Sequence, residues 1–166
     1  MSFNKDIANI FCYKKAFTVD ECQKIIDIPQ AKDFIYDNEN EWIWQRMQNF
    51  VKLANSDFYK FKILYIDNLN VKEYKKDDFF KWHTDINVRE LFALRKISIV
   101  IFLSDNNDYE GGNLLFNVND ETETPEIDME QGSMIMFPSF QIHKVSNIKI
   151  GTRKTLIAWV YGDSFS

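Results

Sequence analysis

Residues that shape loops and cross-links are scarce: the chain has 5 glycines, 3 prolines and 2 cysteines in 166 residues. So little glycine and proline excludes collagen-like, low-complexity and disordered classes. Cys12 and Cys22 lack metal-ligand spacing and read as reduced thiols of a cytoplasmic protein. No apolar run approaches the roughly 18–20 residues that span a bilayer. The opening Met1-Ser2-Phe3-Asn4-Lys5-Asp6 lacks the apolar stretch of a secretory signal, so no membrane partner is expected. Positive charge is also in deficit: 20 Lys and Arg against 25 Asp and Glu leave a net charge of −5. That balance argues against a nucleic-acid partner, whose binding site is usually a basic face. Histidine occurs only 2 times, which makes each position informative.

Apolar material is plentiful, at 45% hydrophobic and 16% aromatic residues. That supports one domain over residues 1–166 with a core needing no staples. Its first part, to about residue 55, reads as helical after a strand-like Phe11–Phe17. Thr18 and Glu21 form a capping box ahead of the stripe Cys22, Ile25, Ile26. Trp44, Met47, Val51 and Ala54 predict a second helix over Asn40–Ala54. From about residue 56 to 163 the texture is β. Short strands are predicted over Tyr59–Ile66, Ile97–Leu103, Asn113–Asn117, Ser133–Phe137, Ile142–Val145 and Arg153–Tyr161, with a turn at Asp67–Asn70. Such spacing suggests a sandwich or barrel with the helices packed outside. Asp105–Glu110 and Asn119–Glu130 read as acidic, solvated connections.

The histidines are His83, within His83-Thr84-Asp85, and His143. On a strand, residues i and i+2 share a face. His83 and Asp85 thus aim a nitrogen and an oxygen at one point, where a histidine from a later strand adds a third ligand. Two histidines and a carboxylate on one face are the ligand set of non-haem Fe(II) oxygenases. Alone, an H-x-D pair is a weak signal. Strand histidines are more often packed core residues, and the same ligands also suit zinc. Arg153 follows a Gly151 turn, and Thr155, Ile157 and Trp159 share its strand face without an acid among them. A buried arginine needs an anion. The choice lies between a surface acid and a ligand carboxylate held by a bidentate fork. Tyr74 is placed either to hydrogen-bond that anion or to sit half-buried on its own strand.

Together these residues resemble the 2-oxoglutarate- and Fe(II)-dependent dioxygenases, in their prolyl 4-hydroxylase-like branch. The resemblance runs from roughly Asn55 to Gly162. Its blocks are Tyr74 through His83-Thr84-Asp85, Arg95–Ser104, Tyr109-Glu110-Gly111-Gly112-Asn113-Leu114-Leu115-Phe116, Gly132–Ser139 followed by His143-Lys144-Val145, and Gly151–Trp159. It implies a mainly β (α+β) fold: a double-stranded β-helix, the cupin-like jelly roll, with the N-terminal helices packed outside. It implies iron on His83, Asp85 and His143, and Arg153 on the distal carboxylate of 2-oxoglutarate. Tyr74 would hydrogen-bond that cosubstrate, with Thr155 and Trp159 lining the pocket. Phe102 stands where some relatives have tyrosine, so one cosubstrate hydrogen bond is missing there.

The implied reaction is hydroxylation of an unactivated C–H, with Fe(II), 2-oxoglutarate and O2 consumed or used and ascorbate as a stimulant. Succinate and CO2 are the by-products. The expected partner is a peptidyl proline, another amino acid or a small molecule. Two other readings stand beside it. One is a non-catalytic jelly-roll module with a vestigial metal site. The other is an AlkB-like nucleic-acid demethylase, disfavoured because Trp159 stands where that branch carries a second arginine. Oligomeric state is not legible.

Overall fold

The computed structural model describes residues 10–28, 38–87, 93–117, 127 and 130–164. Helix α1 spans Val19–Asp27 and begins as expected at Thr18. The Thr18 hydroxyl accepts from the Glu21 N–H at 3.2 Å, and the Thr18 N–H donates to the Glu21 carboxylate at 2.8 Å. Helix α2, Glu41–Ala54, buries Ile43, Trp44, Met47, Val51 and Ala54 along one stripe. Arg46 of α2 reaches both carboxylate oxygens of Glu21 at 2.7 and 2.8 Å, tying the helices together.

The strands are β1 (Phe11–Tyr13), β2 (Ile63–Ile66), β3 (Asn70–Tyr74), β4 (Phe80–His83), β5 (Arg95–Phe102), β6 (Tyr109–Gly111), β7 (Leu114–Phe116), β8 (Met134–Pro138), β9 (His143–Val145), β10 (Ile148–Gly151) and β11 (Arg153–Gly162). A major sheet runs β1-β8-β5-β11-β2, and β3 also pairs with β11. A minor sheet runs β4-β9-β7, and β10 pairs with β6. This is a jelly-roll arrangement: a major and a minor antiparallel sheet, with β6 and β10 as a separate two-stranded ladder.

Alternation along the strands sorts side chains between two layers. Ile97, Ile99 and Ile101 of β5, Met134 and Met136 of β8, and Leu156, Ala158 and Val160 of β11 pack with α1 and α2. Val100, Phe102, Ile135 and Phe137 face the other way, onto Leu114, Phe116 and Val145 of the minor sheet. The helices therefore do pack outside the β core. Among the described residues, no helix is long and apolar enough to cross a membrane.

Several local boundaries differ from the sequence pattern. The Phe11–Phe17 strand stops at Tyr13, because Lys15 adopts φ +56° and turns the chain so that Ala16 and Phe17 enter the helical layer. The Tyr59–Ile66 strand starts only at Ile63. Asn55–Tyr59 instead prolongs α2 as a π turn, closed by Lys60 in the left-handed region at φ +54°. Asp67–Asn70 is shorter than a full turn, since Asn70 already pairs with Ile157. Asp105–Glu110 is not wholly loop: Asn106–Asp108 form a 3-10 turn, and Tyr109 and Glu110 enter β6. Most of Asn119–Glu130 lies outside the described residues.

Candidate functional site

Register brings the two histidines together. In the antiparallel pair of β4 and β9, His83 stands directly opposite His143. Their ring centroids are 4.1 Å apart. Each ring is oriented by its own backbone: His83 Nδ1 lies 2.7 Å from the Lys81 carbonyl and His143 Nδ1 lies 2.9 Å from the Gln141 carbonyl. A carbonyl only accepts, so both Nδ1 atoms carry the proton and both Nε2 atoms present a lone pair. Those Nε2 atoms face Asp85, at 3.4 Å from Oδ1 for His83 and 3.7 Å from Oδ2 for His143. The three ligand atoms lie within 4.8 Å of one another, close enough to share one metal ion.

Asp85 reaches this point differently from the strand argument. Strand β4 ends at His83, so Asp85 is not its i+2 residue in the sheet. The segment is instead pinned by bonds: the Asp85 N–H donates to the Ser139 carbonyl at 2.9 Å. Arg95 Nη1 donates to the Asp85 carbonyl at 3.2 Å. The Ser98 hydroxyl donates to Asp85 Oδ2 at 2.6 Å and is itself 3.0 Å from the Ser139 hydroxyl. Ser98 and Ser139 are both buried.

Burial pushes the Asp85 carboxyl up, but the His83 bond, the His143 charge and the Ser98 hydroxyl outweigh it and hold it at about 2. The Trp159 N–H helps from nearby without closing a hydrogen bond of its own. The histidines respond in opposite senses. Burial would lower His83, yet the Asp85 carboxylate, to which the protonated ring's Nε2 can donate, raises it on balance. His143 is more deeply buried, and desolvation lowers it. Phe80 meets His83 edge-on at 4.3 Å and Phe137 meets His143 at 4.7 Å, forming apolar walls.

A cavity of about 290 Å³ adjoins the three ligands. Arg153, Thr155, Ile157 and Trp159 of β11 all line it, with Tyr74 from the neighbouring β3. Arg153 is 1% exposed. Its guanidinium lies 5.4 Å from the Tyr74 ring and 5.2 Å from the Phe102 ring. Phe102 thus lies beneath the guanidinium and does not itself line the cavity. Desolvation lowers the Arg153 pKa, offset in part by Tyr109 and Tyr74. The Arg153 Nε and Thr155 Oγ1 atoms are buried without a hydrogen-bond partner. Among the described residues, none of the groups that perturb Arg153 is a carboxylate. Gly112, at φ +67°, makes room for its stem: a Cβ there would come within 3.0 Å of Arg153 Cδ.

Sequence reasoning missed two residues here, Ser98 and Lys72. Ser98 had a signal, a hydroxyl inside the apolar run Ile97–Phe102. Lys72 lines the cavity from a segment that sequence alone did not assign to it. Arg95 and Tyr109 lie in Ile86–Arg95 and Asp105–Glu110, loops that the sequence offers as substrate contacts, without a role read for either side chain.

Comparison with known proteins agrees with this geometry. The 2OG-Fe(II) oxygenase superfamily matches residues 69–161. A PKHD-type hydroxylase of Synechococcus sp. (strain CC9902) is 36% identical over 83 residues, covering 50% of this chain and 36% of the relative. A PKHD-type hydroxylase of Crocosphaera subtropica is 31% identical over 103 residues, covering 58% and 44%. The chain therefore spans less than half the length of these curated relatives. Among solved structures, a Pseudomonas putida prolyl-4-hydroxylase superposes with TM-score 0.75 at 16% identity, over 95% of this chain and 90% of that one. The viral collagen prolyl hydroxylase of Paramecium Bursaria Chlorella virus-1 gives 0.73 at 15% identity, over 96% and 98%. At these identities the structures establish the shared jelly-roll fold.

Proposed function

The chain belongs to the 2OG-Fe(II) oxygenase superfamily, and from that premise we propose that it is a 2-oxoglutarate-dependent hydroxylase with Fe(II) on His83, Asp85 and His143. One observation carries the reading: a His-Asp-His cluster opens on the same cavity as a buried arginine whose Nε lacks a partner. A neutral imidazole pair and a carboxylate suit a hard-to-borderline divalent ion with open positions. The partnerless Arg153 Nε and Thr155 Oγ1 suit a ligand with a carboxylate. When bound, Fe(II) with 2-oxoglutarate and O2 supplies the oxidising power to hydroxylate an unactivated C–H, releasing succinate and CO2.

The chain's own residues do the rest. The Lys81 and Gln141 carbonyls keep both Nε2 lone pairs aimed inward, so the ligand geometry exists before the ion arrives. Ser98 occupies Asp85 Oδ2, leaving Oδ1 as the better donor. Arg153 grips the far carboxylate of the cosubstrate and Tyr74 lies alongside, so its orientation is set in advance. Trp159, Ile157, Val100 and Leu114 keep the cavity dry. We read the substrate as a peptide or amino-acid residue, proline among them, or another small molecule. Cys12 and Cys22 are not joined in a disulfide, which supports a reducing compartment such as the cytoplasm.

The test is succinate release from 2-oxoglutarate with Fe(II) and ascorbate. Native protein is expected to release succinate in an Fe(II)-dependent way, and His83→Ala or Asp85→Ala to release none while remaining folded. Equal turnover by either variant would refute the metal assignment.

A further inference from the structure

One buried donor of the cavity, the indole N–H of Trp159, has no bond in that scheme. We propose that Trp159 is a positioning residue whose N–H closes on the Asp85 carboxylate when the metal site is filled, holding Asp85 to the ion through a single oxygen. This inference rests on the oxygenase reading above.

Asp85 needs such support more than its two co-ligands. His83 and His143 stand in paired strands, and each ring is steered by a nearby backbone carbonyl. Asp85 lies two residues past the end of β4, so no ladder aims its side chain. A carboxylate also has two oxygens to offer, and a bidentate grip would occupy a position that an oxygenase site keeps open. A donor on the second oxygen prevents that.

Two separate contacts put the Trp159 ring beside this carboxylate. In the pairing of β5 with β11, Ser98 stands opposite Trp159, so the two side chains are cross-strand neighbours on the cavity face. The Ser98 hydroxyl donates to Asp85 Oδ2 at 2.6 Å. Just beyond, the register shifts between Val160 and Tyr161, so Tyr161 stands opposite Arg95 and Lys96 is stepped over. Bulges of this kind re-aim side chains beside functional sites. The Arg95 guanidinium lies 3.7 Å from the centroid of the Trp159 ring, and its Nη1 donates to the Asp85 carbonyl at 3.2 Å. The indole thus neighbours one group bonded to the Asp85 side chain and stacks on another bonded to its backbone.

The N–H itself is uncommitted. Nε1 is buried without a hydrogen-bond partner, which costs free energy until an acceptor arrives. Asp85 is the single carboxylate lining the cavity among the described residues. Burial raises the Asp85 carboxyl, and Trp159 joins His83, His143 and Ser98 in lowering it. Arg153 and Thr155 stand six and four residues back along β11, roughly 20 and 13 Å at about 3.3 Å per residue, and their donors serve the far carboxylate of the cosubstrate instead.

The test uses Zn(II) as a diamagnetic stand-in, since the same ligands suit zinc. In a proton–nitrogen correlation spectrum the 4 tryptophans give one indole signal each, and the signal lost in Trp159→Phe identifies this one. On Zn(II) loading that signal is expected to move downfield and its proton to exchange more slowly with solvent. Trp159→Phe keeps an aromatic face for Arg95 and removes the N–H, and should weaken anaerobic Fe(II) binding about tenfold. Adding Ser98→Ala should give a loss that differs from the product of the two single losses, because both donors serve one carboxylate. A packing role alone would leave the indole signal still and the losses multiplicative. Either of those results, a signal that moves only when 2-oxoglutarate is added, or unchanged Fe(II) affinity in Trp159→Phe would overturn the inference. If Trp159→Phe does not fold, the signal is assigned through backbone correlations and its response in the native protein decides the matter. Native protein that binds neither ion would instead bring down the oxygenase reading, a result distinct from tight binding without a response at Trp159.

Discussion

The two faces of strand β11 are built on opposite principles. Leu156, Ala158 and Val160 look toward the helices, are at most 1% exposed and belong to the hydrophobic cluster there. Arg153, Thr155 and Trp159 look toward the minor sheet and each bury a polar atom without a hydrogen-bond partner among the described residues. Burial of methyl groups stabilises a fold, whereas a buried N–H or hydroxyl without a partner costs free energy. The first face holds the molecule together; the second keeps donors waiting for a ligand. Substitutions on the two faces should therefore separate stability from chemistry.

The sharpest break comes at the metal. His83→Ala or Asp85→Ala is expected to reduce succinate formation to background while far-UV circular dichroism stays native. Leu156→Ala, on the helix side, should cost about 2–5 kcal/mol by denaturant unfolding. The folded fraction should keep the native requirement for 2-oxoglutarate. Arg153→Met should do the reverse. The apparent KM for 2-oxoglutarate should rise at least about a hundredfold, since two charge-assisted bonds at roughly 1.5–3 kcal/mol net each sum to about 3–6 kcal/mol. The melting temperature should hold or rise, because a deeply buried, desolvated charge has been removed. Loss of both stability and cosubstrate affinity in either variant would erase the distinction between the faces.

Two smaller effects refine the comparison. Ser98→Ala removes the bond that orients Asp85, and should weaken Fe(II) or Mn(II) binding about 10–100-fold. Native folding should survive it, and Ser98→Thr should restore much of the loss. In chelator, the metal-free protein should lose stability in acid. Asp85 is held at about 2, below its usual 3.8. A depressed carboxyl contributes stability that is complete above the ordinary carboxylate range and is lost as pH falls toward 2. The two histidines oppose each other at higher pH. Raised His83 stabilises below its ordinary range, and lowered His143 stabilises above it. Melting temperature against pH should thus show an acid limb below about pH 4. That limb should flatten in Asp85→Asn.

Much of this was legible in the chain. The Thr18–Glu21 capping box, the α2 stripe and the alternation of β11 are local patterns, and each appears where residue spacing put it. Gly111 and Gly112 do adopt positive φ, as a Gly-Gly turn requires. The residues of the His-Asp-His cluster were named from the H-x-D pattern and the scarcity of histidine. What stayed hidden depended on pairing between distant segments. Strands β3, β6 and β10 are short and mostly polar or mixed, so they carried too little apolar period to announce themselves. Tyr109 reached Arg153 from what read as an acidic connection.

Sequence alone determined which side chains share a face and which chemistry they offer, because alternation and capping depend on residues within a few positions of each other. Tertiary structure decided which faces meet. The register of β4 against β9 set His83 opposite His143. One bulge in β5 exchanged Lys96 for Arg95 at the cavity. Ser98 met Asp85 through packing rather than proximity in the chain. Register is a sum of many weak long-range contacts between sheets, and a shift of one residue moves a side chain to the opposite face. No local pattern records that sum.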